Sequence, residues 1–193
     1  KTLDASIAAV SQGGKRKGAC CVYLEPWHAD ILDFLELRDN TGDGARRTYN
    51  LNIANWIPDI FMRRVNADGD WSLFDPKEFP DFPDLYGQAF DRAYEEAEKS
   101  GKAKRIMKAR DLYGRMMKTL AQTGNGWMNF KDACNQKSNQ TGLKSNVIHL
   151  SNLCVAPETL ILTSTGYYRI SDLAGETTEI WNGFEFSPVT IKK

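Results

Sequence analysis

The sequence predicts an α/β region that gives way to short β segments after Cys154. Three observations carry this. "ACCVYLEP" is a continuous apolar run of strand length, and "WHADILDFLELRD" behind it sets Trp27, Ile31, Phe34 and Leu35 at helical spacing. Ile106, Ala109, Tyr113, Met116 and Met117 repeat that spacing further along and mark a core-facing stripe. Beyond Cys154 the period changes: "ETLILT", "GYYRI", "TEIWNGFEF" and "PVTI" are strand-sized, with glycine and polar turns between them. Asn182-Gly183 between alternating residues is a hairpin signal.

The elements follow in order. "KTLDASIAAVSQGGKRKGA" opens as a short helix and ends in the glycine-rich basic turn Gly13–Gly18, where backbone amides with Lys15, Arg16 and Lys17 suit an anion such as phosphate. "ACCVYLEP" fits a strand buried on both faces, stopped by Pro26. Asn40–Asn50 has turn chemistry throughout, and Arg46 and Arg47 within it make a second candidate anion loop. Taken alone, each basic loop reads more readily as a solvated turn than as an anion site. "WIPDIFMRRV" restarts a helix, with Pro58 in its first turn, where the missing amide has no partner to lose. "FDPKEFPDFPDLYG" reads as a proline-punctuated surface connection, followed by helices over Leu85–Lys99 and Lys102–Thr119 hinged at Ser100-Gly101. "TGNGW" ends the second helix, "WMNF" is a short strand, "KDACNQKSNQTG" a polar loop, and "NVIHLSNLC" leads to Cys154.

Composition narrows the function classes. The 193 residues carry 41% hydrophobic and 26% charged side chains, ordinary values for a globular protein. Twenty-five basic against twenty-five acidic residues give no support to a nucleic-acid or polybasic membrane role. No apolar run is long enough to span a bilayer. The four cysteines form no CxxC pair or disulfide framework and no zinc spacing, so no metal site is expected and a reducing cytoplasm is the favoured setting. Cys20 and Cys21 read as small buried hydrophobes, His28 as a satisfied structural histidine and His149 as strand-flanking. The opening at Lys1 and the strand-like finish at Lys193 lead to the expectation of a fragment from a longer reading frame.

Taken together and in this order, "GGKRKGA", "YLEPWHADILDFLELRDNTG", "NWIPDIFMRRV", "WSLFDP", "TGNGW", "KDACNQKSNQ" and "SNLC" closely resemble the catalytic subunit of ribonucleotide reductase. The resemblance covers residues 1–153. It implies part of a ten-stranded α/β barrel with the active site on loops inside it. It also implies radical chemistry, in which a loop cysteine removes the ribose 3′ hydrogen and a cysteine pair then reduces the 2′ position. By motif, the basic turn with Arg16 resembles the loop that contacts the allosteric nucleotide (ATP or a dNTP). Thr41–Asn50, with Thr41, Gly42, Arg46 and Arg47, resembles the specificity loop, and Asn152 matches the substrate-binding asparagine. Cys134, in the expected polar loop, has no reducing role that can be assigned.

The family's radical cysteine is followed within two residues by a glutamate. Here Cys154 is followed by Val155-Ala156-Pro157, and Glu158 is displaced behind the proline. "CVAPETLILTSTGYYRISDL" instead resembles the opening block of an intein, a Hint-type β-rich domain. On that reading residues 1–153 are a partial reductase barrel and 154–193 the N-terminal part of an intein. Leu153 is then the last host residue, and Cys154 is the nucleophile that begins splicing by an N-to-S acyl shift. The later intein blocks are missing, so truncation is favoured over a split intein, and the fragment alone is expected to be inactive.

Two alternatives stand beside this. One is a divergent reductase without an intein, with Cys154 as the thiyl radical site; the other is a nucleotide-binding regulatory module without catalysis. The resemblance further implies a ribonucleotide substrate, a metal-containing small subunit as radical source (adenosylcobalamin in a related class), a thioredoxin- or glutaredoxin-type reductant and a homodimer. It implies neither membrane nor direct nucleic-acid binding.

Overall fold

The computed structural model describes residues 1–12, 14, 16–138, 146–151, 158, 160–181 and 185–191. They fall into two compact units, Lys1–Leu150 and Ser151–Lys193.

The first unit opens with α1 (Thr2–Ala9), a hairpin of β1 (Ser11–Gln12) and β2 (Arg16–Lys17), and then β3 (Cys20–Leu24). Helix α2 (Ile31–Leu35) runs into a 3-10 turn, Glu36–Arg38, and a second 3-10 turn at Gly44–Arg46 precedes β4 (Leu51–Ile57). Next come α3 (Asp59–Asn66), β5 (Asp70–Leu73), α4 (Gly87–Lys99), β6 (Arg105–Lys108), α5 (Ala109–Thr123), β7 (Trp127–Phe130) and α6 (Lys131–Lys137).

Strands β3, β4 and β7 form a parallel sheet in that order, with Cys20 opposite Leu51 and Ile57 opposite Phe130. Among the described residues this sheet is open and does not close into a barrel. Its central strand, β4, was not expected. The anticipated helix restart at Trp56 is the end of this strand, and Pro58 stands just before α3 as its cap. The cause is burial on both sides: Leu51, Ile53, Ala54, Asn55, Trp56 and Ile57 are all buried, which erases any alternating pattern. Strand β3, expected to be buried on both faces, is only half-buried along its length because it forms the sheet's edge, so Cys20 and Cys21 are half-buried as well.

Three further expectations are corrected. The proline-rich connection is no surface strap. Phe74 and Phe82 lie in the core, and Phe74 exchanges backbone hydrogen bonds with Trp27 and Ala29. The second helix starts at Ala109, because Arg105–Lys108 pair with β5 instead, leaving Ile106 63% exposed. Its buried stripe is Ala109, Leu112, Met116 and Thr119, and Gly124 closes it in the left-handed conformation (φ +65°). Finally, "KDACNQK" is α6 rather than a polar loop, so Cys134 is helical.

The core is aromatic. Trp71 stacks on Tyr94 at 4.3 Å and meets Phe61 edge-on at 4.9 Å. Their polar atoms are satisfied: Trp71 Nε1 donates to Pro26 O (3.0 Å), and Tyr94 Oη both accepts from Ser72 N (2.7 Å) and donates to Ser72 O (2.9 Å). Truncating Trp71 to alanine would cost about 3–5 kcal/mol.

The second unit is an antiparallel sheet of β8 (Leu160–Thr163), β9 (Gly166–Arg169), β10 (Thr177–Trp181) and β11 (Phe186–Thr190), in the order β11-β10-β8-β9. Thr163 Oγ1 donates to Gly166 O (2.8 Å) and accepts from Thr165 N (3.2 Å), which fixes the β8–β9 turn. Asn182-Gly183 lies outside the described residues, but Trp181 and Phe186 on either side are register partners with ring centres 5.2 Å apart.

Candidate functional site

Because Cys20 pairs with Leu51, the two basic loops enter the parallel sheet at the same level, its N-terminal edge. The opposite edge carries Leu24, Glu25 and Trp56. In parallel α/β architectures, substrates sit at the carboxyl ends of the strands. Both basic loops thus lie at the edge of the sheet opposite Leu24, Glu25 and Trp56.

The loop before β4 is tied internally. Asp43 Oδ1 accepts from Ala45 N (2.8 Å) and opens the 3-10 turn. Arg47 is only 9% exposed, and its Nε donates to Thr41 O (3.0 Å), joining the loop's two limbs. Gly42 has φ +90°, and a Cβ there would lie 2.6 Å from Arg47 Nη2. Arg38 Nη1 donates to the carbonyls of Thr48 (3.4 Å) and Tyr49, while its own buried Nε has no partner among the described residues. Thr48 N donates to Leu37 O (2.8 Å).

The paired arginines thus differ. Arg47 builds the loop, whereas Arg46 reaches water and makes an exposed ion pair with Asp33 (3.2 Å). Together with Lys1, Glu36 and Thr48 these three residues line a cavity of about 230 Å³. An entering anion would find Arg46 held only by a weak, exposed partner. Arg16 lies in β2, and its side chain is outside the described residues.

At the carboxyl edge, a cavity of about 260 Å³ is lined by Tyr23, Glu25, Trp27, His28, Trp56 and His149, among others. Glu25 accepts from Lys131 Nζ (2.8 and 2.9 Å) and Trp27 Nε1 (2.8 Å). Lys131 Nζ also donates to Phe82 O (2.9 Å) and sits 4.9 Å from the centre of the Phe90 ring. Burial pushes the Glu25 carboxyl up to about 7, against the lowering effect of the Lys131 charge and of the hydrogen bonds from Lys131 and Trp27. Burial also lowers Lys131. His28 Nδ1 accepts from Asp30 N (3.1 Å), as fits a structural histidine, and His149 Nε2 lies 3.3 Å from Asp84 Oδ1 in irregular backbone. Burial raises the thiols of Cys21 and Cys134, which disfavours the reactive thiolate at both.

Helix α6 organises this edge. Asp132 accepts from Asp59 N and Gly87 N (both 2.7 Å), the first residues of α3 and α4. Asn135 grips the chain after α6: its Oδ1 accepts from Ile148 N (2.7 Å) and its Nδ2 donates to Ile148 O (3.0 Å). The segment leading to Asn152 is thereby fastened to α6. Asn152, Leu153 and Cys154 themselves lie outside the described residues. Glu25, Lys131, Asp132 and Asn135 were not singled out from sequence. A lysine, an aspartate and an asparagine directly after a short strand were the available signal.

The family model described as "Ribonucleotide reductase, barrel domain" matches residues 1–168. The ribonucleoside-diphosphate reductase subunit alpha of Chlamydia trachomatis is 48% identical over 159 residues, covering 80% of this chain and 15% of that protein. The large subunit of Danio rerio is 45% identical over 166 residues, or 86% of this chain and 20% of its own. The large chain of Neurospora crassa is 42% identical over 185 residues, or 95% and 20%. The chain thus spans a fifth or less of the length of these curated relatives.

Proposed function

Because this chain belongs to the ribonucleotide reductase large-subunit family, we propose that residues 1–153 are part of the catalytic subunit of a ribonucleoside-diphosphate reductase. The family match carries this reading, and the two-edged sheet supports it. Nucleotide effectors would meet the loops of Arg16 and of Thr41, Gly42, Arg46 and Arg47 at the amino edge. The ribonucleotide would bind beside Asn152, which follows the segment held at the carboxyl edge. A small subunit would supply the radical, and a thioredoxin- or glutaredoxin-type protein the reducing equivalents, to a homodimeric enzyme.

From Cys154 onward the proposal is an intein start. Its Sγ would attack the Leu153 carbonyl, breaking the Leu153–Cys154 peptide bond and forming a thioester, with the freed amine taking up a proton. Two observations support it: the compact units divide at Leu150 and Ser151, and an antiparallel sheet follows a parallel one. A second reading keeps Cys154 as the radical cysteine of an uninterrupted reductase. It is favoured by the family match running on to Tyr168 and by the alignment covering 95% of the chain.

Mass spectrometry of the product of the full reading frame, made under reducing conditions, separates the two. A peptide joining "SNL" to a downstream Cys-x-Glu segment establishes splicing and moves the radical site off Cys154. An unbroken "SNLCVAPET" peptide in an active reductase overturns the intein.

A further inference from the structure

Helix α1 touches both basic loops. Just past its C-terminal end, Gly18 N donates to Val10 O (2.8 Å) as the rung that closes the β1–β2 hairpin, and a Cβ on Gly18 would lie 2.8 Å from Ile7 O, so the base of the hairpin packs against the last turn of the helix. Near its N-terminal end, Asp4 is buried and holds the last residue of the other loop. Its Oδ1 accepts from Asn50 N (2.7 Å) and its Oδ2 from Asn50 Nδ2 (3.3 Å). These partners are 46 residues away in sequence. Burial alone would raise the Asp4 carboxyl, yet the backbone amides of Asn50 and Leu51 and the Asn50 side chain hold it below its ordinary value. It is therefore a charged acceptor, whose hydrogen bonds are stronger than those of a neutral one.

We propose that Asp4 is a positioning residue that couples the β1–β2 hairpin to the Thr41–Asn50 loop, so that order imposed on one by a bound anion reaches the other through α1. Gly18 fixes the hairpin to α1, Asp4 fixes α1 to Asn50, and Arg38 and Arg47 carry that restraint around the second loop. This deepens the reading of the two loops as effector contacts and rests on it. Coupling of this kind needs differential order in the two states of each loop, which hydrogen exchange reads directly.

The test is hydrogen–deuterium exchange on the full-length subunit, wild type and Asp4→Ala, with and without dTTP as probe. Without nucleotide, Asp4→Ala is expected to speed exchange about tenfold in both the hairpin and the 41–50 loop, while β4 beyond Leu51 and α5 remain unchanged and so report an intact fold. Acceleration confined to Asn50 and Leu51 overturns the proposal. With dTTP, wild type is expected to slow in both loops and Asp4→Ala in only one; equal slowing of both in the variant also overturns it. Should dTTP slow neither loop in wild type, the effector reading fails, and the nucleotide-free comparison still decides the coupling. Asp4→Asn, which keeps an acceptor for Asn50 N, is expected to fall between wild type and Asp4→Ala.

Discussion

Lys131 Nζ lies 2.8 and 2.9 Å from the two carboxylate oxygens of Glu25, and its side chain has no exposure to water. Removing one member strands the other. Lys131→Met should destabilise the fold by about 3–5 kcal/mol in urea unfolding, and adding Glu25→Leu should recover much of that loss. A double variant as unstable as Lys131→Met would mean that packing, not the pair, sets the cost.

The same glutamate predicts a pH dependence. Its carboxyl is raised from 4.5 to about 7 on folding, so the folded chain holds a proton that the unfolded chain releases. That contribution to stability is fully present below pH 4.5 and is lost as pH rises through about 7. Glu25→Gln should flatten the stability profile across this window; an unchanged slope would place the titrating group elsewhere.

Asp132 caps two helices at once. In Asp132→Ala the amides of Asp59 and Gly87 lose their acceptor, at about 1 kcal/mol each. Denaturant midpoints should show a loss of about 2 kcal/mol. A loss near zero would show that water replaces the carboxylate at both helix ends.

Gly42 and Gly44 sit two residues apart and should respond differently to alanine. At Gly42 the backbone has φ +90° and the new Cβ would meet the Arg47 guanidinium, whereas at Gly44 a Cβ enters open space. Gly42→Ala should cost about 1–3 kcal/mol and speed proteolysis of the loop. Gly44→Ala should do neither, and equal behaviour would refute the Arg47 brace.

The two neighbouring arginines divide in the same way. Arg46→Ala should leave stability within about 0.5 kcal/mol, because its ion pair with Asp33 is exposed. In the full-length subunit it should nonetheless alter which substrate is favoured under each effector. Arg47→Ala should loosen the loop itself, seen as faster amide exchange at 41–50. An unchanged substrate preference in the Arg46 variant would remove that residue from the effector site.

Asn152→Ala in the full-length subunit should lower turnover far more than effector binding. Equal loss of both would contradict its assignment beside the substrate.

Much of the outline was legible. α4, β7 and the β segments after Cys154 follow from local sequence, whereas of the expected α5 stripe only Ala109 and Met116 are buried, Leu112 and Thr119 taking the other places. Strand β4 was hidden by burial on both sides and by Pro58, which drew the predicted helix start back into it. Strand β6 was hidden because helical spacing at Ile106 continues smoothly into α5; only its pairing with β5 decides otherwise. The cluster on α6 was illegible for a different reason. Buried Lys131, Asp132 and Asn135 look like surface residues until Glu25, Asp59, Gly87 and Ile148 are brought to them, and no local pattern records partners so far away.

The double cap on Asp132 also sets an order of events at the ribosome. Its partners precede it by 73 and 45 residues. At about 5–20 residues per second, Asp132 is made about 4–15 s after Asp59. For that interval the first turn of α3, and for the last 45 residues of it that of α4 as well, lacks the acceptor that will cap it. They complete together when α6 arrives, so a pause in translation before Lys131 would prolong the nascent chain's exposure to chaperones and proteases.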